Sequence, residues 1–179
     1  MSFDRLLYRI LTGSWGRFSF RTGAIDLDNI SIPNPAGLYV HIPFCRSLCP
    51  FCPYTKILYE PKIAERYGRC LVKEAGSVLP RLEDANVKVS SIYFGGGTPL
   101  TMFETVESLV RLVQPVLVGG AQIAVEVHPN DVSPSAVQRL GELGVNMVSL
   151  GVEALDDAVL GIIGRNHDSD RWPHPLWTH

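Results

Sequence analysis

The residues best suited to chemistry are three cysteines in the segment "YVHIPFCRSLCPFCPYTK", at positions 39–56. Cys45, Cys49 and Cys52 follow a C-x3-C-x2-C spacing. Three thiolates spaced in this way can wrap one face of a small inorganic cluster, and soft sulfur ligands suit iron–sulfur clusters or zinc. A structural zinc site would want a fourth ligand, and the nearest candidates are His41 in a predicted strand and Cys70 in a predicted helix. The spacing therefore predicts a metal centre, with zinc or simple buried thiols as alternatives to an iron–sulfur cluster.

Other candidate residues lie in short segments that follow apolar runs. The segment "YFGGGTPL" contains three consecutive glycines and Thr98, "EVHPND" contains Glu126, and "LGVEALDD" contains Glu153. Glycines let a backbone approach a ligand closely, although a triple glycine alone is also typical of a flexible turn. Glu126 is either a ligand contact or an ordinary surface acid at the end of a strand. Which alternative holds depends on the elements that position these residues.

Strand-like and helical patterns alternate four times along the chain. Strands are predicted at 37–42, 87–94, 121–127 and 145–152, and helices at 61–80, 101–117, 133–144 and 155–164. Ser133 is predicted to cap the third helix, with a proline in its first turn. Strict alternation with buried strands predicts an α/β fold whose parallel sheet is covered by helices. Because the carboxyl ends of parallel strands meet at one edge, the cysteine loop, the glycine turn, Glu126 and Glu153 should converge there.

Composition and charge exclude several classes of protein. The chain has 179 residues, of which 46% are hydrophobic, so it can bury one sizeable core. Its formal charge of −2 provides no basic face for a nucleic acid. No apolar run approaches the roughly 20 residues needed to cross a bilayer. Three of the four cysteines share one short loop, which disfavours a disulfide framework. A cytoplasmic protein without a membrane span is predicted.

The chain divides into three predicted segments. Residues 1–36 form an N-terminal extension, 37–168 form the core, and 169–179 form an irregular tail without periodicity. The arginines and the apolar spacing of the first 23 residues resemble a transit presequence, but Asp4 is atypical of one, so a leader helix that packs on the core is favoured. The tail leads to no fifth strand, and a C-terminal truncation is therefore expected.

Four segments together resemble one enzyme family. "YVHIPFCRSLCPFC", "YFGGGTPL", "LGVNMVSLGVEALDD" and "GRNH" are similar to the radical S-adenosylmethionine (SAM) enzymes, in the branch of oxygen-independent coproporphyrinogen III oxidase and the related heme chaperone. The resemblance implies a partial (β/α) TIM-like barrel of about four βα units, in which Cys45, Cys49 and Cys52 bind a [4Fe-4S] cluster. It implies no specific catalytic residue. The residues it places at SAM are Tyr39, Gly95, Gly96, Gly97, Thr98, Glu126, Glu153 and Arg165.

Two positions depart from the pattern of the porphyrinogen oxidases. Glu153 stands where these enzymes usually carry glutamine, which keeps the acceptor oxygens but removes the amide donor and adds a charge. Tyr54 stands where they carry a further cysteine. Arg165, which matches an arginine at SAM, could instead complement the dipole at a helix end.

The resemblance also implies an activity. The expected reaction is reductive cleavage of SAM to a 5′-deoxyadenosyl radical that acts on a small tetrapyrrole-like substrate, with electrons from a donor such as flavodoxin or ferredoxin. A heme-binding, chaperone-like protein and an inactive truncated remnant are the alternatives. The family's full barrel has six βα units and a further C-terminal domain, so this chain alone is expected to be inactive.

Overall fold

The computed structural model describes residues 32–169, in which four βα units follow one another. The predictions for a leader or presequence and for the irregular tail fall almost entirely on 1–31 and 170–179, outside the described residues. The helices are α1 (Pro61–Asp84), α2 (Phe103–Val113), α3 (Pro134–Glu142) and α4 (Asp157–Ile162). The strands are β1 (Ala36–Ile42), β2 (Phe44–Cys45), β3 (Ile57–Leu58), β4 (Val89–Gly96), β5 (Leu117–Val127) and β6 (Met147–Leu150).

Four of the strands form one parallel sheet in the order β1-β4-β5-β6. Each of these strands therefore lies beside the strand of the next βα unit, with a helical connection between them. The register aligns Tyr39 with Tyr93, Tyr93 with Ala124, and Ala124 with Met147. The prediction of an α/β fold with a parallel sheet is confirmed.

The two faces of the sheet differ in chemistry. Side chains alternate between faces along each strand, and one face carries apolar residues that pack beneath the helices. Ile42, Ile92, Phe94 and Val125 on this face are all 0% exposed, and burial of each such side chain stabilises the fold by roughly 1.5–3 kcal/mol. The other face carries tyrosines, glycines and a glutamate. The sheet therefore has its core on one side and presents polar groups on the other.

The helices begin within two residues of the predicted positions, but some elements end elsewhere. Ser133 caps α3, since its Oγ accepts a hydrogen bond from the Ala136 N–H at 3.1 Å. The prediction that α1 ends at Pro80 is wrong, because the helix continues to Asp84. Leu79 and Leu82 beside this proline are 6% and 3% exposed, and their burial offsets the lost backbone hydrogen bond. Among the described residues, no helix is long and apolar enough to cross a membrane.

A second, very short sheet was not predicted. β2 and β3 pair in parallel, with Phe44 opposite Ile57 and Cys45 opposite Leu58. The Ile57 N–H donates to the Pro43 carbonyl and the Tyr59 N–H donates to the Cys45 carbonyl, both at 2.8 Å. Two-residue strands carry too little periodicity to be recognised in a sequence. Their pairing closes the base of the loop that carries the three cysteines.

Candidate functional site

A cleft of about 250 Å³ opens at the carboxyl ends of β1, β4, β5 and β6. The predicted convergence of the polar segments on one edge of the sheet is what the structure shows. All of the predicted site residues except Tyr39 and Gly95 line this cleft: Cys45, Cys49, Cys52, Gly96, Gly97, Thr98, Glu126, Glu153 and Arg165.

The cysteine loop supplies one wall of the cleft. Cys49 is buried, Cys45 and Cys52 are half-buried, and all four cysteines of the chain are free thiols within the described residues. The Cys52 N–H donates to the Cys49 carbonyl at 3.3 Å, and Lys56 Nζ donates to the Cys52 carbonyl at 2.5 Å. Backbone bonds and one lysine therefore fold the loop so that its thiols face the cleft.

The surroundings of Cys45 disfavour a thiolate in the absence of a neighbouring positive charge. Burial raises the pKa of this thiol, and the neighbouring thiols of Cys52 and Cys49 raise it further, against the opposing effects of a Thr98 hydrogen bond and the Lys56 charge. A bound metal reverses such a balance, because its positive charge favours thiolates. Within residues 32–169, no three His, Cys, Asp or Glu side chains are arranged to hold a single metal ion. The three thiols of the loop are soft ligands of the type that iron–sulfur clusters and zinc accept.

The glycine turn packs tightly against the cysteine loop. A Cβ on Gly97 would lie 2.7 Å from the Pro43 carbonyl oxygen and 2.8 Å from the Phe44 oxygen. At Gly96, where φ is +122°, a Cβ would lie 2.7 Å from His41 Cε1. The Gly97 N–H donates to the Ile42 carbonyl at 2.8 Å. Glycine is required here for contact with the chain's own backbone, a reason additional to the predicted approach of a ligand.

Glu126 is held at the end of β5 by two hydrogen bonds. The Tyr93 hydroxyl donates to Oε1 at 2.8 Å and the Gly96 N–H donates to Oε2 at 3.0 Å. Burial raises the pKa of Tyr93, and the carboxylate of Glu126 raises it further, so the phenol keeps the proton that it donates. Sequence reasoning missed Tyr93. The available signal was its alternation with Gly95 along the strand, which places both on the polar face of the sheet.

Arg165 and Glu153 form an ion pair at the far side of the cleft. The Arg165 side chain is 9% exposed, and its Nη2 lies 3.5 Å from Glu153 Oε1. The same Nη2 donates to the Gly151 carbonyl, and Nη1 donates to Cys49 Sγ at 3.5 Å. Glu153 has a φ of +64°, in the left-handed region that few residues other than glycine adopt. Arg165 therefore touches a cysteine of the loop, which the sequence did not predict.

Two histidines that the sequence analysis did not single out lie beside this pair. His128 and His167 pack edge to face with ring centroids 5.6 Å apart, and His167 Nε2 donates to the Val152 carbonyl at 3.1 Å. Burial, followed by the charge of Arg165, lowers the pKa of His128 to about 4. Burial also lowers the pKa of His167. Both rings are consequently neutral at neutral pH.

Tyr39 lies outside the residues that line the cleft. Its side chain is 61% exposed on the polar face of the sheet, where its ring stacks on Tyr93 at 6.1 Å. Its hydroxyl donates to His41 Nδ1 at 3.0 Å, and His41 Nε2 donates to the Thr55 carbonyl at 3.1 Å. A Cβ on Gly95 would lie 3.1 Å from Tyr39 Cε2. Tyr39 and Gly95 therefore lie on the Glu126 side of the sheet but outside the lining of the cleft.

Known proteins are similar to this chain in sequence. Residues 39–172 match the sequence profile of the Radical SAM superfamily. The chain is 36% identical over 137 residues to radical S-adenosyl methionine domain-containing protein 1, mitochondrial, of Bos taurus, covering 75% of this chain and 30% of that protein. It is 32% identical over 133 residues to the heme chaperone HemW of Bacillus subtilis, and the match covers 72% of this chain and 35% of that protein.

A solved structure agrees with the sequence matches. Coproporphyrinogen III oxidase (HemN) from Escherichia coli, described as a radical SAM enzyme, superposes with a TM-score of 0.69 at 31% identity, covering 77% of this chain and 32% of that chain. The chain thus spans about a third of the length of these relatives. The likeness confirms the predicted α/β fold of the TIM-like radical SAM type. Because the profile covers most of the chain, including the cysteine loop and every strand end that forms the cleft, this protein belongs to the radical SAM superfamily.

Proposed function

We propose that this chain forms the cluster- and SAM-binding part of a radical SAM protein in the branch of coproporphyrinogen III oxidase and the heme chaperone. The observation that carries this proposal is the single cleft in which three free thiols face a carboxylate and a guanidinium. Membership of the family implies a [4Fe-4S] cluster and SAM. When bound, the two groups would supply reductive cleavage of SAM to a carbon-centred radical.

Five polar side chains of the cleft have a proposed task. Cys45, Cys49 and Cys52 would hold the cluster, and three protein ligands on four irons leave one iron open. Glu126 would accept hydrogen bonds from the ammonium group of SAM, since its two oxygens are already oriented by neighbouring donors. Arg165 would face the carboxylate of SAM, because guanidinium groups bind carboxylates well.

The volume of the cleft indicates how much of the ligand these residues enclose. Pockets for small molecules usually measure roughly 300–1,000 Å³, and this cleft measures about 250 Å³. We therefore propose that the described residues hold the cluster and only the amino-acid end of SAM. We infer that further chain, of the kind that the longer relatives contain, would enclose the nucleoside and the substrate.

A tetrapyrrole-like small molecule is the proposed substrate, on the strength of the relatives' names alone. The second candidate is heme binding without SAM cleavage. It is supported by the relative named heme chaperone HemW and by Tyr54, which is 71% exposed at the cleft where the oxidases carry a further cysteine. Iron–sulfur reconstitution separates these two candidates from an inactive remnant.

The decisive test compares two cysteine variants with the wild-type chain. Each protein is reconstituted anaerobically with iron and sulfide, and its metal content and reduced electron paramagnetic resonance (EPR) spectrum are recorded with and without SAM. Cys49→Ser should lose most of the bound iron, because it removes a proposed ligand. Cys70→Ser is the matched control, since Cys70 is an exposed residue of α1 outside the cleft, and it should bind iron as the wild type does.

The outcomes discriminate between the candidate functions. A four-iron spectrum that changes on addition of SAM supports an open iron that SAM reaches. Stoichiometric heme binding without SAM cleavage would favour the chaperone-like role. Equal iron in Cys49→Ser and Cys70→Ser, or zinc in place of iron, would overturn the proposal.

The compartment and the electron donor also remain proposals. Reduced thiols are typical of the cytoplasm, and bacterial relatives are among the matches. Two relatives carry the word mitochondrial in their names, so an organelle is the alternative compartment. A flavodoxin or ferredoxin is the proposed donor, and faster cluster reduction by either protein than by an equal concentration of free flavin would support it.

A further inference from the structure

The guanidinium of Arg165 connects a cysteine of the loop to an anion. Nη1 donates to Cys49 Sγ at 3.5 Å, and Nη2 lies 3.5 Å from Glu153 Oε1 while donating to the Gly151 carbonyl. The side chain is 9% exposed, and its Nε is buried without a partner in the described part of the chain. The charge is therefore placed against a thiol at a position where water screens it poorly.

The local backbone is built to deliver this contact. α4 ends in a turn in which Gly164 has a φ of +71°, and a Cβ there would lie 2.8 Å from Pro50 Cδ, on the cysteine loop itself. The next residue is Arg165, which the turn directs at Cys49. On the opposite side, a Cβ on Gly151 would lie 3.0 Å from Arg165 Nη2. Two glycines thus permit the approach of the guanidinium from both of the segments that flank it.

Glu153, the anion of the pair, lies in a turn with an unusual backbone conformation. It adopts a φ of +64° without being glycine, and such conformations are costly and tend to occur at functional sites. Its turn is held by the Ala154 N–H, which donates to the Val152 carbonyl at 2.7 Å, and by the Gly151 N–H, which donates to the Val127 carbonyl at 3.0 Å. The turn therefore brings a carboxylate to the same guanidinium that touches Cys49.

An electrostatic consequence follows for any redox centre on Cys49. Hydrogen bonds to ligand sulfurs and the local net charge set the reduction potentials of iron–sulfur clusters. One-electron reduction adds negative charge, which a nearby cation stabilises and a nearby anion destabilises. Arg165 should therefore raise the potential, and Glu153 should lower it by offsetting the cation.

We propose that Arg165 and Glu153 form an ion pair that sets the reduction potential of the cluster through Cys49, with Arg165 raising it and Glu153 lowering it. This inference rests on the proposed function, because it requires a cluster on the three cysteines. It gives Arg165 a role apart from any contact with SAM. It also assigns a consequence to the glutamate at a position where the porphyrinogen oxidases carry glutamine.

The test is a potentiometric EPR titration of the reconstituted protein, recorded without SAM. Arg165→Gln should show an about tenfold lower ratio of reduced to oxidised cluster at a fixed potential, which corresponds to about 59 mV for one electron. Glu153→Gln should shift the ratio in the opposite direction, and Arg165→Lys should lie between the wild type and Arg165→Gln. Arg111→Gln is the control, because Arg111 is an exposed cation on α2 paired only with Glu107 in the described contacts, and it should leave the potential unchanged.

The inference can be tested even if one variant does not fold. If Arg165→Gln fails to fold, the sign of the shift in reduction potential of Glu153→Gln decides. The Glu153 side chain is 37% exposed, and without it the Arg165 guanidinium still donates to the Gly151 carbonyl. An unchanged or lower potential in Glu153→Gln would overturn the inference. Loss of SAM affinity in Arg165→Gln with an unchanged potential would leave Arg165 as a SAM contact only. Absence of a cluster from the wild type would instead defeat the proposed function, and the inference with it.

Discussion

Substitution of Gly97 by alanine should damage the contact between the glycine turn and the cysteine loop. The added Cβ would lie 2.7 Å from two atoms of Pro43 and 2.8 Å from the Phe44 carbonyl oxygen. These are backbone atoms, so the backbone of Pro43 and Phe44 must move, since no flexible side chain can yield instead. Overpacking of this kind costs about 1–3 kcal/mol. The movement would also weaken the hydrogen bonds from the Gly97 N–H to the Ile42 carbonyl and from the Thr98 N–H to the Phe44 carbonyl, at about 0.5–1.5 kcal/mol each.

The expected loss in the free energy of unfolding is therefore about 3 kcal/mol, a large share of the roughly 5–15 kcal/mol of a typical domain. With a urea m-value of about 1–3 kcal/mol/M, the unfolding midpoint should fall by roughly 1–3 M. The control is Gly141→Ala in α3, where a Cβ meets nothing within 4 Å. That variant should gain about 0.5–1 kcal/mol from helix propensity. Equal midpoints for Gly97→Ala and the wild type would refute the close packing described for this turn.

Two further predictions concern the polar groups around the cleft. Tyr93→Phe removes the hydrogen bond to Glu126 Oε1. The affinity for SAM, measured by calorimetry, should fall about tenfold, or roughly 1.4 kcal/mol, while the iron content stays the same. Undiminished affinity would show that Tyr93 does not orient the carboxylate. The folded-state pKa of His128 is about 4, below its unfolded value of about 6.5. The unfolded chain therefore binds more protons between these values, and stability should decline as pH falls from about 6.5 to 4. His128→Gln should flatten that part of the pH profile in urea denaturation, and an unaltered slope would contradict the assignment.

Much of the fold could be predicted because its signals are local. Alternating apolar runs and a capping serine indicate strands and helices directly, and four βα units imply a parallel sheet with its polar loops at one edge. The predicted end of α1 was wrong, because burial of the leucines beside Pro80 outweighs the cost of a proline within the helix. That burial depends on residues far away in the chain, which no local pattern contains.

The sequence predicted which residues belong to the site but not which of them contact one another. The cysteine spacing and the glycine run identified two walls of the cleft, and the strand ends placed Glu126 beside them. The bond from Arg165 to Cys49 joins residues 116 positions apart, and Tyr93 meets Glu126 across 33. Such pairs are brought together by sheet register and by the turn after α4. Their partners could not be deduced from spacing in the sequence.

The small β2–β3 pair closes the loop that carries the proposed metal ligands. It joins the two ends of the cysteine loop through backbone hydrogen bonds that involve no metal. Closing a loop of about a dozen residues costs roughly 2 kcal/mol of chain entropy, and here folding of the polypeptide meets that cost before any iron arrives. If the proposed cluster binds here, the polypeptide alone would hold the base of its loop closed, with the three thiols on that loop.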